Sequence, residues 1–114
     1  MTDCLFCRIA RGEIPAQKVA ENDHALAFRD ISPQAPSHVL IIPKKHLADS
    51  AAQVGAAQAF ALGAVFELAA QVATAEKLDS GWRLVTNVGA DGGQTVHHLH
   101  FHLLGGRPMQ WPPG

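Results

Sequence analysis

Three histidines at alternate positions, His98, His100 and His102, form the densest reactive feature of the chain, and with His97 they hold four of its 7 histidines between positions 97 and 102. Imidazole titrates near neutrality and serves as nucleophile, general base, general acid or metal ligand, so a row of three suits phosphoryl chemistry or proton traffic. In an extended strand side chains alternate faces. That spaces the three rings about 6.6 Å apart on one face and sends Leu99, Phe101 and Leu103 to the other. The same geometry disfavours one metal shared by all three, because a flat strand holds the outer two about 13 Å apart. A second reactive pair, Cys4-x-x-Cys7, reads as metal ligands, a redox pair or buried thiols before a structural disulfide. Gly92-Gly93 is by itself only a turn signal.

The elements that must position these groups follow from pattern and punctuation. Asp3 as N-cap, Cys4–Arg11 and a glycine stop at Gly12 predict a short helix. Lys18–Glu21 and His24–Arg29 read as two antiparallel strands joined at Asn22-Asp23, a pair that tolerates positive φ. Asp30–Pro36 is a loop stiffened by Pro33 and Pro36, and Ser37–Ile42 a third strand ending at Pro43. Val54, Ala57, Ala61, Val65, Leu68, Val72 and Ala75 recur at three- and four-residue steps, which predicts an amphipathic helix from about Ala51 to Leu78, closed by Gly81. Trp82–Asn87 and Val96–Leu104 are the fourth and fifth strands. The class is α+β, an antiparallel sheet with one long and one short helix.

Composition narrows the partners. At 114 residues the chain fits one domain, residues 1–114, and its 47% hydrophobic and 17% charged content is that of an ordinary globular protein. A formal charge of −1 argues against nucleic-acid binding, which needs an excess of Lys and Arg. No signal peptide is evident, and Gln53, Gln58, Glu67 and Gln71 interrupt the longest apolar tract, so the expectation is a cytoplasmic protein with no membrane span.

His98-Leu99-His100-Phe101-His102-Leu103-Leu104 resembles the signature of the histidine triad superfamily. Glu13-Ile14-Pro15, Asp30–Pro36, Ile42–His46, Gly92–Thr95 and Trp111–Gly114 resemble its Hint branch, so the likeness covers almost the whole chain. That resemblance implies a homodimeric purine nucleoside phosphoramidase that cleaves the P–N bond of AMP or GMP conjugates. Within it His100 is the nucleophile, supported by a backbone carbonyl of its own strand; His98 completes the triad, and His102 and His38 form a relay toward the departing amine. A structural histidine is the other reading of His38. The resemblance further implies a purine held by Phe6, Ile14, Phe28 and Ile31, which otherwise read as core, and ribose hydroxyls on Asp30, otherwise a loop or capping aspartate. Asn87, Gly93, Gln94, Thr95 and Val96 would hold phosphate. Trp111, in a tail spanning residues 105–114, would reach the partner subunit's site. Relatives with the cysteine pair add a structural zinc on Cys4, Cys7, His46 and His98. Rival readings are a dinucleoside polyphosphate hydrolase of the same superfamily and a nucleotide-binding scaffold.

Overall fold

The computed structural model describes residues 4–114. Its elements in chain order are helix α1 (Leu5–Ala10), strands β1 (Lys18–Glu21), β2 (Ala25–Arg29) and β3 (Ser37–Pro43), helix α2 (Ala59–Ala75), and strands β4 (Trp82–Val85) and β5 (Phe101–Gly105). The strands form one sheet in the order β1-β2-β3-β5-β4, antiparallel at every pairing.

Alternation along the central strands sorts the interior into two layers. Ala25 and Ala27 of β2, Val39 and Ile41 of β3, and Leu99, Phe101 and Leu103 pack with Val65, Leu68, Ala69 and Val72 of α2. On the opposite face Leu26, Phe28, Leu40 and Ile42 pack with Phe6 of α1. Both faces are therefore covered, which is why every residue of β3 is buried. One apolar layer anchors the sheet to α2, and the other is the floor on which the histidines stand.

Several predicted boundaries shift, each for a local reason. The Asp3 cap lies outside the described residues, and Cys4 caps α1 instead, its sulfur accepting the Cys7 N–H at 3.3 Å. The β1–β2 turn needs no positive φ, because the Asn22 side chain accepts from the backbone N–H groups of His24 and Ala25. The long helix starts at Ala59, not Ala51. Val54 and Gly55 are extended and set off one 3-10 turn, Ala51–Gln53, from a second, Ala56–Gln58, that runs directly into the helix. It also ends early: Lys77 at φ 61, not Gly81, takes the left-handed position after the helix. By length and mean hydropathy (1.4) alone the stretch Ala56–Ala75 is apolar enough to cross a membrane, but one face of it, Val65, Leu68, Ala69 and Val72, belongs to the core that packs on the sheet. Phe60 and Phe66 stay exposed. The fourth strand stops at Val85 and the fifth begins only at Phe101.

Candidate active site and metal cluster

The late start of β5 means that His98 and His100 lie outside the strand ladder, and only His102 is paired on both sides, to Leu40 and Val85. Other bonds hold the histidine segment extended. Leu99 N–H donates to Ala48 O at 2.9 Å, the His98 ring reaches Pro43 O at 3.0 Å, and Thr86 Oγ1 donates to His100 O at 2.7 Å. The predicted alternation survives without the pairing. Leu99, Phe101 and Leu103 enter the α2 layer, while the rings of His98 and His100 both meet the edge of Phe6, at 5.8 and 5.0 Å.

Backbone partners fix the protonation pattern of each ring. His100 Nδ1 lies 2.7 Å from His98 O; a carbonyl only accepts, so Nδ1 carries the proton and Nε2 keeps its lone pair. His38 Nδ1 accepts from the Gln34 N–H at 3.0 Å, which leaves its proton on Nε2, 2.9 Å from His102 Nδ1. His102 Nδ1 is then an acceptor, and its own proton sits on Nε2. A lone-pair nitrogen on His100 therefore stands beside an N–H donor on His102, their ring centroids 5.2 Å apart. Burial, with the neighbouring His100 and His38, holds His102 down to about 4, and burial likewise lowers His38 against the pull of Asp30. Both are neutral at physiological pH.

His100 and His102 open on a cavity of about 780 Å³ between α1, the loop after β2 and the Gly-rich turn, a size suited to a small organic ligand, while His38 stands outside its lining. Phe6, Ile14, Phe28, Asp30, Ile31, Asn87, Gly93, Thr95, Val96, His100 and His102 all line it. Phe6 and Phe28 are buried core residues as well, in edge contact at 5.7 Å, whereas Ile31 stands 99% exposed at the rim. Asp30 Oδ1 accepts the Ser32 N–H at 2.7 Å, the loop role anticipated for it, and Oδ2 lies 3.4 Å from His38 Nε2. Gln94 is not in the lining. Its amide braces the turn instead, accepting from Gly89 N–H and donating to Asp49 O and Val96 O. Gly92 is required there, since a Cβ would come 2.4 Å from Val88 O. Trp111 is 83% exposed and does not line the cavity.

A second cluster lies behind the first. Cys4, Cys7, His46 and His98 bring one ligand atom each to within 4.8 Å of one another. Cys4 Sγ is 3.1 Å and Cys7 Sγ 3.6 Å from His98 Nδ1, and Cys7 Sγ is 3.8 Å from His46 Nδ1. A tetrahedral ion with metal–sulfur bonds of about 2.3 Å and metal–nitrogen bonds of about 2.0 Å sets such edges near 3.5 Å, so the donors fit. The far nitrogens are also in place: His46 Nε2 meets Asp49 Oδ1 at 2.6 Å and His98 Nε2 meets Pro43 O. Both protons are thereby held on Nε2, and both Nδ1 lone pairs face the sulfurs. His98 thus serves two clusters, its ring among the cysteines and its carbonyl beneath His100. Sequence reasoning missed Asp49, although His46-x-x-Asp49 is a spacing that could have suggested it. It also missed Thr86, Pro43 and the Gln34 N–H, which act through a hydroxyl or the backbone and leave no motif.

The histidine segment, the Gly-rich turn and the sheet order define a nucleotide-scale pocket over a histidine pair, and residues 11–109 match the HIT domain. The chain belongs to the HIT family. It is 55% identical to a HIT family hydrolase from Legionella pneumophila, covering 98% of this chain and 100% of that one with a TM-score of 0.94. A histidine triad nucleotide-binding protein from Candida albicans is 32% identical over 96% of this chain and 83% of its own, with a TM-score of 0.82. A 14 kDa zinc-binding protein from Zea mays is 48% identical over 111 residues, 96% of this chain and 87% of that protein.

Proposed function

We propose that this chain is a purine nucleoside phosphoramidase that hydrolyses the P–N bond of adenosine or guanosine 5′-monophosphoramidates through a nucleotidyl-histidine. The observation that carries the reading is that His100 and His102 line one cavity with their Nδ1 atoms engaged elsewhere, His100 on the His98 carbonyl and His102 on His38 Nε2, which leaves a lone pair on Nε2 of the first and a proton on Nε2 of the second. His100 Nε2 attacks the α-phosphorus; the P–N bond breaks, and the departing nitrogen leaves as the amine with one proton drawn from solvent through Nε2 of His102, so that the His38–His102 pair stays neutral. Water then cleaves the P–Nε2 bond, returns a proton and releases the nucleoside monophosphate. The base lies among Phe6, Ile14, Phe28 and Ile31. The ribose meets Asp30, whose carboxylate has acceptor capacity beyond the Ser32 N–H. Asn87, Thr95, Val96 and the Gly93 turn face the phosphate, with Gln94 bracing that turn. The names of the hydrolase from L. pneumophila and the nucleotide-binding protein from C. albicans agree with this reading.

Cys4, Cys7, His46 and His98 hold a structural zinc in this proposal, consistent with the fit of the four donors and the name of the maize relative. When bound, the ion ties α1 to the histidine segment, and a closed set of four ligands leaves it no position for water. The working unit is a homodimer, with the 105–114 tail and the exposed Trp111 reaching the partner's site. Rapid quench of a labelled adenosine phosphoramidate tests the chemistry: label trapped on His100 supports it, and label on any other residue sinks it. Sedimentation as a 12.1 kDa species at micromolar concentration would remove the dimer alone.

A further inference from the structure

The polarity of the His38–His102 pair rests on the Gln34 N–H at His38 Nδ1, with Asp30 Oδ2 3.4 Å from Nε2 favouring the same proton position, and that backbone donor sits in a loop rather than in the sheet. The start of the loop is tied to β3 by the Asp30 N–H on His38 O at 3.0 Å, and two bonds brace it internally. Gln34 Nε2 donates to Ser32 O at 2.9 Å, and the Ser32 N–H donates to Asp30 Oδ1. A further tie comes from Arg107, two residues beyond β5. Its Nε and Nη2 both donate to Gln34 O, at 3.3 and 3.0 Å, while Nη1 donates to Pro108 O at 3.1 Å. Gly106 makes the crossing possible. It turns the chain at φ 90, and a Cβ there would come within 2.8 Å of the Pro36 Cβ, so strand exit and loop are in direct contact.

We propose that Arg107 is a positioning residue for the proton relay, holding the carbonyl of Gln34 so that the N–H of the same residue stays on His38 Nδ1. The inference rests on the phosphoramidase reading for its catalytic consequence only; the geometry stands without it. His38 is buried, and a buried ring nitrogen is kept paired because an unpaired one is costly. With the Gln34 N–H in place, the ring has one arrangement: proton on Nε2, His102 accepting at Nδ1, and an N–H from His102 offered to the cavity. Without it, nothing on Nδ1 opposes a proton there, and against the pull of Asp30 Oδ2 on Nε2 the ring also populates the form in which Nε2 is the acceptor. In that form His102 must donate from Nδ1, and the nitrogen it shows the cavity turns from donor to acceptor. The guanidinium therefore protects the direction of the relay from outside the site. Its planar fork suits the task, since two N–H groups converge on one carbonyl.

Ring-nitrogen NMR of uniformly ¹⁵N-labelled protein near pH 7.5 reads the arrangement directly, in the wild type, Arg107→Ala and Arg107→Lys. The wild type is expected to show His38 and His102 each in the single Nε2–H form. In Arg107→Ala both rings should move toward averaged tautomers while the resonances of His46 and His98 stay in place, and Lys, with one N–H available to the carbonyl, should restore part of the shift. In turnover, Arg107→Ala should lose about tenfold in kcat with an alkylamine leaving group, within the 10²–10⁴ that a complete acid contributes. The loss should be under about twofold with a nitrophenolate, which departs without a proton. Unchanged His38 and His102 tautomers in Arg107→Ala would overturn the proposal, as would an equal loss for both leaving groups. Inactivity of the wild type on every phosphoramidate would end the phosphoramidase reading and leave the NMR result to judge Arg107.

Discussion

Two pairs of histidines in this molecule sit at almost the same separation and do different things. His46 and His98 have ring centroids 4.8 Å apart, and His38 and His102 are 5.1 Å apart. In the first pair each ring gives its Nε2–H to an oxygen, Asp49 Oδ1 or Pro43 O, and both Nδ1 lone pairs turn toward Cys4 and Cys7. In the second pair the rings are chained, the Nε2–H of His38 on Nδ1 of His102. The partner on the far nitrogen decides the outcome: acceptors there make two converging lone pairs, which is a ligand set, and a donor there makes a one-way hydrogen-bond chain, which is a relay. His100 lies between the pairs and takes one feature from each, an oxygen on Nδ1 from the His98 carbonyl and a place on the cavity beside His102.

The largest effect should come from that middle position. His100→Ala is expected to cut phosphoramidate hydrolysis by roughly 10⁴-fold or more, the scale seen when a covalent nucleophile is removed, with the fold retained. Steady-state turnover beside a thermal melt measures both, and persistence of turnover within tenfold of wild type would place the nucleophile elsewhere.

Next in size is the separation of the two pairs by substitution. Cys4→Ser should lower zinc content and thermal stability together, by several kcal/mol if the ion contributes as structural zinc does. His38→Ala should leave one zinc per chain and lower kcat by about 10²-fold. Elemental analysis of protein purified without chelator or affinity tag decides it: far less than one zinc in the wild type, with no uptake on addition, breaks the comparison at its first half.

A third effect follows from the low proton affinity of His102, held near 4 by burial and by its neighbours His100 and His38, with Asp30 opposing. An unfolded histidine takes a proton below about 6.5, and the folded one does not until about 4. The unfolded state therefore binds more protons between those limits, and stability falls as pH falls through that window, by at most about 1.4 kcal/mol per pH unit for this group. Above 6.5 the group contributes nothing to the slope. Denaturant melts at pH 7, 6 and 5 should show a shallower decline in His102→Gln than in wild type, and parallel declines would mean that the folded ring is protonated as easily as the unfolded one.

What could be read from the sequence is what depends on side-chain type and period. The alternation of Leu99, Phe101 and Leu103 against three histidines placed the two faces correctly, and all but Gln94 among the residues assigned to the nucleotide line one cavity. The sequence reading went wrong where backbone decides. Nothing in Val96–His100 marks that the ladder waits until Phe101, because the substitutes for pairing are the carbonyls of Ala48 and Pro43 and one hydroxyl. The helix start failed for a like reason: Val54 continues the apolar stripe, yet with Gly55 it is extended. Hydrophobic period reports which face is buried, not which backbone bonds are made.

The smallest expected effect, and the finest test of how His100 is held, concerns Thr86. The β4–β5 ladder ends at the pairing of Val85 with His102, and beyond it the Thr86 hydroxyl, donating to His100 O at 2.7 Å, is the bridge that keeps the nucleophile's peptide beside the sheet. The imidazole is already oriented by the His98 carbonyl, so removing the hydroxyl loosens the backbone of His100 without freeing its ring. Thr86→Val keeps the shape and leaves the carbonyl of the buried His100 without its hydroxyl partner, a cost of about 1 kcal/mol. Stability should drop by that amount, kcat should fall about threefold to tenfold through misplacement of the attacking nitrogen, and KM should hardly change, since Thr86 does not line the cavity. Thr86→Ser, which retains the donor, should restore most of kcat. If Val and Ser variants are equally active, the His98 carbonyl alone positions the nucleophile, and the support of His100 comes entirely from the metal-cluster side of the molecule.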